Sequence, residues 1–144
     1  MPAVDLPDIN VWLALADPDH EHHDRARHYW EQEAATRLAF TRVTMLGSVR
    51  SLTNRHVMQG APFTIVQAWK AYRAFLDLPE VTFLADPDSA EARMRMWSEK
   101  TGFSPSRLTD AWLAAVAFTT RSRLVSFDKD YREFTGLSFF HLKG

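Results

Sequence analysis

The sequence predicts an α/β fold of three layers, with helices on both faces of a central parallel sheet of four to five strands. Three observations carry this. Short apolar runs alternate along the chain with longer stretches whose apolar residues recur at helical spacing. The runs are compact and apolar, as strands covered on both faces are. The 144 residues suit one domain spanning 1–144.

The elements follow in order. Ala3 to Leu6 is a short buried strand, and Asn10 to Ala16 forms the first helical turns before Pro18. A polar helix is expected from about His22 to Ala35, with Ala26, Tyr29, Trp30 and Ala34 as its apolar stripe. Leu38 to Phe40 is the second strand. Thr44 to Leu52 is a helix with Met45, Leu46, Val49 and Leu52 on one face. Thr64 to Leu76 is a helix opened by a Thr64/Gln67 capping box and bracketed by Pro62 and Pro79. Val81 to Leu84 is the third strand. Asp88 with Glu91 is read as the start of a helix that runs to about Lys100 and ends at Gly102. Ser104-Pro105 or Ser106 opens a long helix to about Thr120. Arg123 to Ser126 is the fourth strand, and Leu137 to His141 is a candidate fifth.

Composition excludes several classes. With 46% hydrophobic and 12% aromatic residues the chain can pack a core rather than remain disordered. Seventeen Lys and Arg against 18 Asp and Glu give a formal charge of −1, so any nucleic-acid surface must be a local one. The absence of cysteine excludes disulfides, thiolate chemistry and zinc sites built on Cys. No apolar run approaches the ~20 residues of a membrane span. The opening Met-Pro-Ala-Val-Asp lacks a signal peptide's basic stretch, so a cytoplasmic protein without a membrane partner is expected.

The chemistry points to three aspartates. Asp8 and Asp128 follow the first and fourth predicted strands, where parallel sheets bind ligands, and Asp110 lies near the start of its helix. Asp110 shares a helix face with Leu113, Ala114 and Ala117, and a charge on an inward face needs a partner or a metal. Carboxylates gathered without matching bases suit a hard divalent cation such as Mg²⁺ or Mn²⁺. Taken singly, an Asp after a strand is usually a cap or turn residue, and Asp110 is the hardest of the three to explain that way.

Leu6-Pro7-Asp8-Ile9-Asn10-Val11, Leu108-Thr109-Asp110-Ala111-Trp112-Leu113 and Leu124-Val125-Ser126-Phe127-Asp128-Lys129-Asp130-Tyr131 stand in that order. Together they resemble the acidic motifs of PIN-domain ribonucleases, and the order, spacing and length resemble the VapC toxins of toxin–antitoxin pairs. The resemblance covers essentially the whole chain. It implies a Mg²⁺-dependent (Mn²⁺ possible) endoribonuclease with Asp8, Asp110 and Asp128 as catalytic metal ligands. Asn10 and Ser126 are then auxiliary groups that orient the carboxylates. It further implies RNA of the tRNA or rRNA class as substrate, a cognate antitoxin whose tail covers the site, and a homodimer.

The pattern departs from the family at one place. Gly47 stands where the family usually carries Glu on the helix after the second strand. Asp130 has two readings, a compensating carboxylate or a solvated turn residue. The gap leaves open an alternative function, an RNA- or protein-binding domain with weak or no catalysis. A phosphotransfer enzyme with Asp8 as nucleophile is a third reading, disfavoured because Asn10 stands where a second Asp is wanted.

Other features have competing readings. Arg42, Arg50 and Arg107 are candidate RNA-backbone contacts, with Arg55 and His56 nearby, or ordinary surface charge. His20, His22 and His23 read as a solvated helix start rather than a metal site, since adjacent helical residues diverge. The five tryptophans read as core or interface anchors rather than base-stacking platforms.

Overall fold

Five strands build the sheet in a computed structural model that describes residues 3–144. They are β1 (Val4–Pro7), β2 (Arg37–Phe40), β3 (Val81–Phe83), β4 (Arg123–Ser126) and β5 (Phe139–His141). Every pairing is parallel, and the spatial order is β3-β2-β1-β4-β5. The chain therefore winds outward in one direction from β1 and in the other from β4. The crevice at the carboxyl ends of these two central strands is the switch point of the fold, the place where open parallel sheets bind ligands.

The helices are α1 (Ile9–Ala16), α2 (His23–His28), α3 (Arg42–Leu52), α4 (Ile65–Leu76), α5 (Ala90–Ser98) and α6 (Leu108–Thr119). Successive strand residues point to opposite faces, and the core divides accordingly. Leu38, Phe40, Val81 and Val125 pack with Trp12, Tyr29, Val49 and Tyr72 beneath α1 to α4. Leu6, Ala39 and Leu124 pack with Trp97, Leu113 and Val116 beneath α5 and α6. Trp12 stacks on Phe40 at 3.9 Å between ring centres, tying α1 to the sheet. Alanines at 111, 114, 115 and 117 are fully buried, so α6 lies close against its neighbours.

The expected elements are all present, with four local corrections. The helix expected over 22–35 is α2 followed by a π-helical turn at Tyr29–Glu33. α3 begins two residues early, at Arg42, because Thr41 and Thr44 form a reciprocal cap. Asp88 does not cap α5: Ser89 is the cap residue and makes no side-chain cap bond. The long helix opens with a 3₁₀ turn at Pro105–Arg107 before α6. The Thr64/Gln67 capping box forms as expected. Trp12 and Trp97 are core anchors, whereas Trp69 is exposed on α4. No helix among the described residues is long and apolar enough to cross a membrane.

Candidate active site

Asp8 directly follows β1 and caps α1. Its backbone N–H donates to the Val125 carbonyl at 2.8 Å, which fixes the residue against β4. Its Oδ1 accepts from the Ile9 N–H at 2.8 Å, as an N-cap carboxylate does. Its Oδ2 accepts from the Ser126 hydroxyl at 2.8 Å. Ser126 is saturated: its oxygen also accepts from the Asn10 amide at 3.1 Å and from the Asp128 N–H at 3.0 Å. Asn10 Oδ1 in turn accepts from the Phe127 N–H at 3.3 Å. The three residues thus lock the ends of β1 and β4 into one rigid unit with the Asp8 carboxylate at its centre.

Asp110, in the first turn of α6, faces the same crevice. Tyr131 joins the two acids: its hydroxyl donates to Asp110 Oδ1 at 3.0 Å and lies close to Asp8 as well. Burial pushes the Asp8 carboxyl up to about 6, and the nearby Asp110 charge pushes it the same way against the bonds from Ser126 and Ile9. Asp110 is also raised, first by burial, with the Tyr131 bond and Arg107 acting against it. Tyr131 is pushed far above the usual phenol range by burial and by both carboxylates, so it stays a donor. Sequence reasoning noted this aromatic within a motif but gave it no role. Only the packing of the turn after β4 against α6 reveals one.

Asp128 behaves differently. Its Oδ1 accepts from the Asp130 N–H at 2.9 Å, and its Oδ2 accepts from Arg107 Nη1 at 3.0 Å. The same Nη1 lies 3.5 Å from Asp110 Oδ2 and 3.6 Å from the exposed Asp130 carboxylate, and Arg107 Nε donates to Glu133 at 3.2 Å. As the side chains stand, no three His, Asp or Glu among the described residues converge on a single cation position. Asp8 and Asp110 approach each other, and Asp128 is turned toward Arg107. Of the two readings of Arg107, RNA-backbone contact or surface charge balanced by nearby acids, its surroundings match the second, since it is held among carboxylates. Arg42 packs over the Phe83 ring at 4.8 Å, and Arg50 is exposed on α3.

Two other expectations resolve. A Cβ on Gly47 would run into the Ile9 side chain, so Ile9 fills the space where the family's usual Glu would begin. The histidine cluster is used in packing: His22 stacks on Phe127 at 4.6 Å, and His23 Nδ1 lies 2.7 Å from the Ala14 carbonyl.

The model of the family described as PIN domain matches residues 6–137. The chain belongs to the PIN-domain family. Within that family it is 38% identical over 138 residues to Ribonuclease VapC41 of Mycobacterium tuberculosis, covering 92% of this chain and 94% of the relative, which places it among the VapC proteins. Solved structures share the fold. One is the M. tuberculosis VapC20, described as a Sarcin-Ricin loop cleaving toxin, with a TM-score of 0.69, 17% identity and coverage of 92% and 95%. Another is VapBC2 of Rickettsia felis bound to a DNA fragment from its promoter, with a TM-score of 0.69, 10% identity and coverage of 96% and 98%. Asp8, Asp110, Asp128 and Tyr131 of this PIN domain all lie within the matched residues.

Proposed function

We propose that this chain is a divalent-cation-dependent endoribonuclease, the toxin of a toxin–antitoxin pair, acting in the cytoplasm as one PIN domain over 1–144. The observation that carries the reading is the meeting of Asp8 and Asp110 across Tyr131 at the switch point of a VapC-related fold. The donor set suits Mg²⁺ or Mn²⁺: it is all oxygen, and such ions need only one or two direct carboxylates. Each Asp8 oxygen accepts one bond from a neutral donor and keeps a lone pair open. Burial raises the proton affinity of both carboxylates, and the Asp110 charge adds to it at Asp8.

In this reading Asp8 and Asp110 hold the cation directly, and Asp128 joins them directly or through water. When bound, the cation supplies an activated water for in-line attack on the phosphodiester and offsets charge on the leaving oxygen. Ser126 and Asn10 hold Asp8 in place, and Tyr131 orients Asp110 without giving up its proton. Arg42 and Arg50 are the proposed backbone contacts. RNA of the tRNA or rRNA class is the substrate. A cognate antitoxin and a second copy of the chain are the partners, and exposed Leu46, Ile65, Val66 and Trp69 supply apolar surface for one to cover.

The test is incubation of the purified chain with tRNA and rRNA in Mg²⁺ or Mn²⁺ and in EDTA. Cleavage is expected only with the cation. It should fall by on the order of 10³-fold in Asp8→Asn and Asp110→Asn, the scale of losing an essential metal contact. Wild-type rates in Asp8→Asn would overturn the reading. The Ile9 side chain in the missing acid's place favours a second reading, binding without cleavage. RNA retained on the protein but left intact in Mn²⁺ would select it.

A further inference from the structure

Arg107 is placed unlike an ordinary surface arginine. Its side chain is 17% exposed, and its guanidinium lies 5.5 Å from the Tyr131 ring centre and 5.9 Å from that of Phe134. Packing therefore fixes where the charge sits. That charge touches Asp128 at 3.0 Å, Asp110 at 3.5 Å and Asp130 at 3.6 Å through one nitrogen, with Glu133 at 3.2 Å from Nε. Its other terminal nitrogen, Nη2, is buried without a hydrogen-bond partner. A guanidinium seated purely for stability satisfies its fork, as Arg123 does with paired bonds of 2.8 Å to the two oxygens of Asp5. Arg107 leaves a donor orphaned while one nitrogen is shared among three carboxylates. It is held by the charge of the acidic centre rather than by a complete set of bonds.

We propose that Arg107 is a built-in counter-cation of this acidic centre, competing with the divalent cation for Asp128 and Asp110. This rests on the metal-dependent reading above. Without the divalent ion, Arg107 neutralises carboxylates that would otherwise repel one another. For the three aspartates to converge, Asp128 must leave Nη1, and the arginine must then sit beside an added positive charge. Its presence therefore raises the cation concentration at which the centre fills, and cation entry loosens Arg107 from its partners.

The test is Mn²⁺ binding by titration calorimetry at neutral pH, with no RNA present. Arg107→Met keeps the stem packed against Tyr131 and Phe134 but removes the charge. It should bind Mn²⁺ about tenfold more tightly than wild type, the scale on which one nearby charge moves an ionic equilibrium. Arg107→Lys keeps the charge and should bind Mn²⁺ more weakly than Arg107→Met. In EDTA the Met variant should melt lower than wild type, and its gain in melting temperature with Mn²⁺ should be larger. Equal or weaker Mn²⁺ binding by Arg107→Met would overturn the competition. A measurement on the unaltered chain guards against a variant that fails to fold. The Arg107 Nε–H resonance should shift as Mg²⁺ is added, and an unmoved resonance at saturating Mg²⁺ would overturn the proposal. The two levels separate cleanly. Binding that is lost in Asp8→Asn but unmoved in Arg107→Met sinks the competition alone. No binding by any form sinks the metal reading and the competition together.

Discussion

Asp5 lies within β1 and Asp8 directly follows that strand, yet the two belong to opposite kinds of chemistry. Asp5, near the amino end of β1, is completely buried and fully answered. Arg123 grips both its oxygens at 2.8 Å, the Tyr29 hydroxyl donates at 2.6 Å, and the Ala35 N–H donates at 3.0 Å. Asp8, at the carboxyl end, receives neutral donors only and faces another carboxylate. The amino edge spends its polar groups on closing the fold, since a buried charge is tolerable when paired and bonded. The carboxyl edge leaves an electrostatic deficit in place. An unbalanced carboxylate in a crevice marks function more reliably than carboxylate content does.

The largest effect is expected at Asp5. Asp5→Ala strands Arg123, the Tyr29 hydroxyl and the Ala35 N–H together. It should cost about 3–5 kcal/mol of stability in urea unfolding, the range for removing one partner of a buried ion pair. Cation binding per folded molecule should not change. A loss below about 1 kcal/mol would mean the amino edge is not the structural clamp described.

Asp8 should show the opposite behaviour. Because its folded carboxyl titrates at about 6 rather than 3.8, the folded chain keeps a proton there that the unfolded chain has released. This contribution to stability is present below about pH 4 and is lost as pH rises through about 6. A displacement of this size is worth about 3 kcal/mol. Asn retains the cap, so Asp8→Asn should gain on wild type by about 3 kcal/mol between about pH 4 and pH 7 in EDTA. Parallel stability curves for the two proteins would remove the electrostatic deficit from the account.

The fold was legible because its signals are local. Apolar runs set the strands, the Thr64/Gln67 pair set the start of α4, and Asp8 and Asp128 were placed at the sheet edge by following strands. Features that depend on partners distant in sequence were not legible. Asp5 reads as one more residue in a short strand until β4 brings Arg123 beside it. Arg107 reads as a basic residue until the turn after β4 delivers Asp128, Asp130 and Glu133 to it. Even a local device escaped where its chemistry was unusual: Thr44 completes the Thr41 cap in the position where a pattern expects Glu or Gln. Gly47 showed that an acid was missing, but only the structure showed that Ile9 had taken the space.

The finest contrast lies between two tyrosines. Tyr29 and Tyr131 are both fully buried, and each donates its hydroxyl to an aspartate, Asp5 at the amino edge and Asp110 at the carboxyl edge. Replacing either by Phe removes one oxygen and keeps the ring packing, so each should cost about 1.5–3 kcal/mol of stability, the value of one hydrogen bond to a charged group. Their functional consequences should diverge. Tyr29→Phe leaves the crevice untouched, and Mn²⁺ affinity should equal that of wild type. Tyr131→Phe releases Asp110 from its only neutral side-chain donor in the hydrogen-bond network described, and lost orientation of a ligating carboxylate weakens metal binding by about tenfold or more. Calorimetric titration of both variants with Mn²⁺, beside their urea curves, reads the two effects separately. Equal affinities in the two variants would reduce Tyr131 to the same structural role as Tyr29 and erase the distinction between the edges at this pair.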